Sequence, residues 1–225
     1  RGLLKLNIRI SYLSGGTRER NEEVLRAVPL ADGSNLFERV YKVLTTQDLT
    51  QVSNDPVLKF SARLKKDPHK VVSDLQLNNT IILDDQPDAY VPGEVGRSVL
   101  WLQNTFQYGT RFQEFNSKIL YPKREFLPAT QKSWILERNK LAWALGVILT
   151  ADDLRREKQI SLRDAVYELT RKDGVSVDRE APDQYPFYIR GAAAMSEVNP
   201  LWNRVPFYSV DPCMKNMALV YHSSR

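Results

Sequence analysis

The chain has 225 residues, of which 42% are hydrophobic and 26% charged, ordinary globular proportions that exclude a disordered tail, a collagen-like rod or a long coiled coil. The formal net charge is +5, from 32 Lys and Arg against 27 Asp and Glu, a mild basic excess that favours polyanionic or phosphorylated ligands without the Lys/Arg runs of a nucleic-acid tail. A single cysteine, Cys213, excludes an internal disulfide framework and a Cys-rich zinc site, and two histidines, His69 and His222, leave little for a His-based metal centre.

Residues 5–13 alternate and then run apolar through Ile8, Ile10, Tyr12 and Leu13, which predicts a largely buried strand ending in Ser14-Gly15-Gly16-Thr17. A helix follows, with Thr17 as its N-cap and Val24, Leu25 and Val28 as its apolar stripe. Residues 36–45 suit a short helix running into a strand. A basic cluster comes next, Lys59, Arg63, Lys65, Lys66 and Lys70 with Asp67 among them, and then an apolar strand, Thr80-Ile81-Ile82-Leu83, ending in Asp84-Asp85-Gln86-Pro87. Alternating strands and helices argue for βαβ units and a parallel α/β sheet, whose ligands bind outside the carboxyl ends of the strands. Both polar clusters, 14–17 and 84–87, fall at such ends.

Residues 1–97 are therefore expected to form one domain and residues 98–225 a mainly helical C-terminal region. The second part is rich in aromatic residues, among them Trp101, Phe106, Tyr108, Phe112, Phe115, Tyr121 and Phe126. Helical periodicity covers 132–149, with Trp134, Ile135, Leu141, Ala142, Leu145 and Ile148 on one face, and again 160–172. Residues 173–212 read as ordered but irregular. Trp134, Trp143 and Trp202 are expected in the core, Cys213 as a buried bystander and His222 at the surface. Residues 118–140 carry six Lys or Arg against two Glu, interleaved with aromatics; this reads as a solvated face over core packing, and no nucleic-acid partner is expected. No run of about 18 apolar residues is present to span a bilayer.

A strand ending in Ser14 followed by Gly-Gly-Thr and a helix, then Lys65-Lys66-Asp67, then Val72-Ser73-Asp74-Leu75 leading into Thr80-Ile81-Ile82-Leu83-Asp84-Asp85, resembles motifs two, three and four of the haloacid dehalogenase (HAD) superfamily, over residues 3–92. The resemblance implies a HAD-like Rossmannoid parallel sheet with helices on both faces. It implies a Mg2+-dependent phosphatase that hydrolyses a phosphomonoester through an aspartyl-phosphate intermediate. Ser14 would donate its hydroxyl to a phosphate oxygen, the amides of Gly15 and Gly16 would add donors at a helix N-terminus, and Lys66, or Lys65 one register away, would neutralise the phosphate. Asp84 and Asp85 would be hard oxygen ligands to Mg2+, one directly and one through water. Of Arg18 and Arg20, at most one can face the same phosphate, because i and i+2 on a helix do not share a face.

The family's nucleophile and its general acid belong to an Asp-x-Asp motif on the central strand, and no Asp-x-Asp occurs in this sequence. That strand is expected upstream of Arg1, unless another segment fills its place. Asp-Asp-Gln-Pro and the short interval between the second and third motifs are similar to phosphoprotein phosphatases of the superfamily, and to HAD-like effectors that intracellular bacterial pathogens secrete into host cells. A phosphoprotein is thus one expected substrate. The other expectation is a catalytically inactive scaffold that binds a protein partner.

Overall fold

The structure is a computed structural model that describes residues 8–30, 32–102 and 130–198. Among these, the residues up to Ile82 and from Gln86 to Val99 form one compact unit, and Leu83–Asp85 with the residues from Leu100 onward form a second. The fold mixes helix with small sheets; none of the described sheets has more than two strands.

The first unit opens with β1 (Ser11–Leu13), α1 (Arg18–Arg26), α2 (Leu36–Arg39) and β2 (Lys42–Leu44). β1 and β2 pair in parallel, with Ser11 opposite Lys42 and Leu13 opposite Leu44. A parallel pair needs a crossover, and α1 with α2 supplies it. Thr17 caps α1 as expected, its hydroxyl accepting from the Arg20 N–H at 3.4 Å. Glu19 in the first turn and Arg26 in the last complement the helix dipole, and Glu22 pairs with Arg18 at 3.8 Å and Arg26 at 3.6 Å. The buried stripe of α1 differs from the expected one. Asn21 and Leu25, four apart, face inward, whereas Val24 and Val28 are exposed and Arg26 stacks on Phe37 at 3.9 Å.

After β2 the chain runs through β3 (Thr50–Gln51), α3 (Phe60–Arg63) and β4 (Leu64–Lys65); β3 and β4 pair antiparallel. α4 (Asp74–Leu77) and β5 (Ile82–Asp84) follow. Leu77, Tyr90, Val95 and Val99 form the core cluster, with Leu13, Val72, Ile82, Ala89 and Val91 packed against it. Both strands flanking the polar clusters are less buried than their composition predicts: β1 is half-buried throughout and Leu83 of β5 is exposed.

The pairing of β1 explains this. Tyr41 N–H donates to the Ile10 carbonyl at 2.7 Å and Ser14 N–H to the Leu44 carbonyl at 3.1 Å, so the backbone groups of residues 10, 12 and 14 turn toward β2 and those of Ser11 and Leu13 turn the other way. Among the described residues no strand pairs with that second edge. β5 pairs with β6 (Val99–Trp101) alone. A continuous parallel sheet is absent among the described residues because each of these strands has a partner on one edge only.

In the second unit, α5 (Gln131–Arg138) and α6 (Lys140–Lys158) replace the single helix expected over 132–149. Asn139 interrupts them, donating from its side chain to the Ile135 carbonyl at 2.8 Å, and the break resets the phase: Lys140 is buried, while Leu141, expected on the apolar face, is 59% exposed. α6 is then buried on nearly all sides from Ala142 to Ile148, the signature of a central helix. α7 (Leu162–Thr170) is capped by Ser161, which accepts from the Asp164 N–H at 3.0 Å. β7 (Arg171–Lys172) and β8 (Val175–Ser176) form a hairpin whose two turn residues, Asp173 and Gly174, have φ of 52° and 78°, the paired positive values of a type I′ turn.

The region expected to be irregular contains α8 (Tyr185–Val198), the main partner of α6. Pro186 sits at the second helical residue, where a missing N–H costs nothing. Gly146 of α6 and Gly191 of α8 let the backbones touch: a Cβ at Gly146 would meet the Phe187 carbonyl oxygen at 1.8 Å, and one at Gly191 the Ala142 carbonyl oxygen at 1.8 Å. Trp134 and Trp143 are buried as expected; Trp202, Cys213, His222, Phe106 to Phe126 and most of the basic stretch 118–140 lie outside the described residues. No described helix is long and apolar enough to cross a membrane.

Candidate functional site

Parallel pairing carries Ser14 to the carboxyl end of β1, beside the end of β2. The Ser14-Gly15-Gly16 turn is clasped there by Thr46, whose hydroxyl donates to the Gly15 carbonyl at 2.5 Å and whose N–H donates to the Gly16 carbonyl at 3.0 Å. Thr46 is itself fixed, since Thr45 is fully buried and its N–H donates to the Asp48 carboxylate at 2.8 Å. That bond, the largest influence, holds the Asp48 carboxyl below its ordinary value, against a smaller opposing effect of burial.

Within the turn, the Gly16 N–H donates to Ser14 Oγ at 3.2 Å. The sequence predicts both glycine amides as ligand donors; the structure engages one of them internally. The consequence for Ser14 is useful, because a hydroxyl that accepts on a lone pair still has its proton to give. Gly15 is exposed with open space around it, and its N–H makes no hydrogen bond among the described residues. Gly16 is glycine for a steric reason: a Cβ would lie 2.6 Å from Asn21 Oδ1 and 3.2 Å from Arg20 Nη1. Asn21, 2% exposed, anchors the turn from α1 by donating to the Gly16 carbonyl at 3.2 Å.

Those contacts decide between the two arginines. Arg18 pairs with Glu22, whereas the Arg20 guanidinium lies back over the glycine turn, as helical side chains lean toward the N-terminus. Arg20 forms no ion pair among the described residues. Helical spacing separates the two arginines, and of them it is Arg20 whose guanidinium lies beside Gly16.

Lys65 ends β4 and Lys66 follows it, and successive residues there point to opposite faces. Lys65 Nζ donates to the Asp88 carbonyl at 2.5 Å. Lys66 is half-buried; its N–H donates to the Ala89 carbonyl at 2.8 Å, its carbonyl accepts from Val91 N–H at 3.0 Å, and its ammonium lies 5.3 Å from the centre of the Tyr90 ring. Tyr90 and Leu13 belong to the same apolar cluster, so the strand ending in Ser14 and the strand segment holding Lys66 rest on one core. Ser14, Gly15, Gly16, Arg20 and Lys66 are thus all features of the first unit.

Asp84 and Asp85 are described with the second unit, at the carboxyl end of β5. Both are half-buried, both have interaction partners, and the Asp84 carbonyl accepts from Leu102 N–H at 2.8 Å. Asp85 sits in the bend after the strand, which frees it from strict alternation with Asp84. Two carboxylates are hard oxygen donors of the kind a cation that keeps several waters takes, and in that respect they fit Mg2+. Among the described residues no group of three or more His, Cys, Asp or Glu gathers to form a full protein cage.

No protein family, curated protein or solved structure matches the chain.

Proposed function

We propose that the chain is a Mg2+-dependent phosphatase of the HAD type, hydrolysing a phosphomonoester through an aspartyl-phosphate intermediate. The observation that carries the reading is the parallel β1–α1–β2 unit, which puts a Ser-Gly-Gly turn, a helix N-terminus and Arg20 together at the carboxyl end of a strand whose other edge no described strand occupies. A phosphoryl group brings several anionic oxygens, and its transfer is promoted chiefly by positioning and charge stabilisation. Ser14 donates its hydroxyl proton to one phosphate oxygen while Gly16 holds the hydroxyl oxygen in place. The Gly15 N–H and the uncapped first-turn amides of α1 face the same charge. Arg20 and Lys66 neutralise it, and the Tyr90 ring and the Asp88 carbonyl hold the two lysines in separate places.

Asp84 and Asp85 are the residues that would hold Mg2+, which supplies neutralisation of negative charge when bound. The nucleophilic carboxylate is assigned to a further strand beside β1, on the edge that no described strand occupies. A phosphoprotein is the preferred substrate class, and delivery into a host cell as a bacterial effector remains part of the same proposal.

The protein with the strand that carries the nucleophile is expected to hydrolyse p-nitrophenyl phosphate with Mg2+ and to lose the activity in EDTA. Lys66→Ala should lower kcat/KM about 100-fold or more. Activity undiminished by Asp85→Asn would remove the metal assignment.

The absence of any Asp-x-Asp in the sequence favours a second reading, a non-catalytic scaffold that binds a protein partner. A strand beside β1 lacking both acids, with no hydrolysis, is the outcome that selects it.

A further inference from the structure

The turn that follows Lys66 holds a histidine between two carboxylates. Asp67 caps the 3-10 turn Pro68–Lys70, and its Oδ1 accepts from the His69 backbone N–H at 3.0 Å. The His69 ring returns to the same oxygen, Nδ1 to Oδ1 at 2.9 Å. On its other side, ring Nε2 lies 3.0 Å from Oδ1 of Asp74, the first residue of α4. The second oxygen of Asp67 accepts from the Thr50 hydroxyl at 3.2 Å, which ties the cluster to β3.

A neutral imidazole has one N–H and one lone pair. Placed here, it would satisfy one carboxylate and set its lone pair against the other. An imidazolium donates at both nitrogens, so only the charged ring satisfies both contacts. Burial pushes the Asp67 carboxyl up, but hydrogen bonds from the His69 ring, the His69 backbone and Thr50 outweigh it and hold the acid below its ordinary value, leaving an anion to receive the ring.

We propose that His69 is a protonation-dependent positioning residue that, as the imidazolium, ties Asp67 beside Lys66 to Asp74 at the start of α4, and that lets go of one of them when the ring is neutral. Its effect on catalysis rests on the phosphatase reading; the clasp itself does not.

The charges around the ring are mixed. Asp67 and Asp74 favour the imidazolium. Lys70, next in the turn, sends its ammonium to the Asp48 carbonyl at 2.6 Å, and Lys42 donates to the Lys70 carbonyl at 2.5 Å. Lys66 and Lys65 are drawn to Tyr90 and to the Asp88 carbonyl. The cations nearest the ring along the chain are therefore engaged elsewhere, and the groups within hydrogen-bond distance of its nitrogens are carboxylates. Histidine is the side chain that ordinarily changes charge between about pH 5 and 8. The clasp is closed when the ring is charged and open when it is neutral.

The test is 15N NMR of the imidazoles in the whole chain from pH 5 to 9, with His69→Gln to separate His69 from His222. Two protonated ring nitrogens in the acid form, with 15N shifts that change in Asp74→Asn, are the expected results. The Asp74 side chain is 91% exposed, so the substitution opens no cavity. A ring that keeps a single neutral tautomer across the range, or 15N shifts unmoved by Asp74→Asn, would overturn the proposal. In the enzyme, kcat/KM for p-nitrophenyl phosphate should decline as pH rises from 6 to 8, and His69→Gln should abolish that decline. An unchanged pH profile in His69→Gln overturns the positioning role while leaving the phosphatase reading standing. If no hydrolysis occurs at all, the phosphatase reading falls and the NMR titration alone decides the clasp.

Discussion

Glu137 is the residue on which the buried charges of the second unit depend. It accepts from Lys140 Nζ at 2.6 Å and from Arg179 Nη2 at 2.7 Å, and both cations are almost wholly buried. Arg179 also covers the Trp143 ring at 5.6 Å, and Trp143 donates to the Gln184 side chain at 3.2 Å. Tyr188 is buried nearby, and burial drives its hydroxyl well above the usual phenol range. Removing one member of a buried pair leaves an uncompensated charge and costs about 3 to 5 kcal/mol. Glu137→Ala should therefore destabilise the second unit by that order, read as a lower urea midpoint by tryptophan fluorescence. An exposed pair such as Arg39 with Asp32 should change the midpoint little when broken. At the same scale, Gly16→Ala should loosen the glycine turn by displacing Asn21, and is expected to weaken phosphate binding more than it weakens folding. Comparing the phosphate dissociation constant with the urea midpoint for that variant checks the split.

Between elements, the contact that decides most is the crossing of α6 and α8. The carbonyl oxygens of Phe187 and Ala142 occupy the space that a methyl group would need at Gly146 and Gly191, and backbone cannot swing aside as a side chain can. Gly146→Ala should cost about 1 to 3 kcal/mol by overpacking, although alanine is the better helix former. Thermal unfolding followed by circular dichroism would register it; an unchanged or raised midpoint would show that the helices separate easily. Elements of this kind were only partly legible in the sequence. Thr17 and the acidic and basic ends of α1 announced that helix, because capping is a local property of side chain and backbone. α8 was hidden because a proline in a first turn looks the same in sequence as a proline that breaks a helix. Asn139 was read through because its interruption depends on which face of α6 finds a partner. The candidate site divides the same way: Ser14, Gly15 and Gly16 follow from a strand meeting a capped helix, whereas Arg20 over Arg18 depends on which guanidinium lies beside Gly16.

For the whole molecule, three carboxyls tie the stability of the first unit to pH. Asp32, Asp48 and Asp67 all belong to it, and all are held below their ordinary values. For Asp32, hydrogen bonds from Ser34 and Arg39 bring the value to about 2. A carboxyl whose folded value is depressed stabilises the fold above its unfolded value, near 3.8, and loses that contribution as pH falls toward the folded value. The first unit should thus weaken between about pH 4 and 2, less so for exposed groups in high salt. An acid titration followed by far-UV circular dichroism should show signal lost in that range; a signal unchanged down to about pH 2 would contradict this account of the first unit.

The central claim is that the Ser14-Gly15-Gly16 turn, Arg20 and Lys66 form a phosphate cradle, and a 1H–15N NMR titration of the chain with inorganic phosphate tests it most directly. Saturable shifts at the amides of Gly15, Gly16 and the first turn of α1, abolished together in Lys66→Ala while the rest of the spectrum is preserved, are the predicted result. Shifts scattered over the basic surface and unaffected by Lys66→Ala would contradict it.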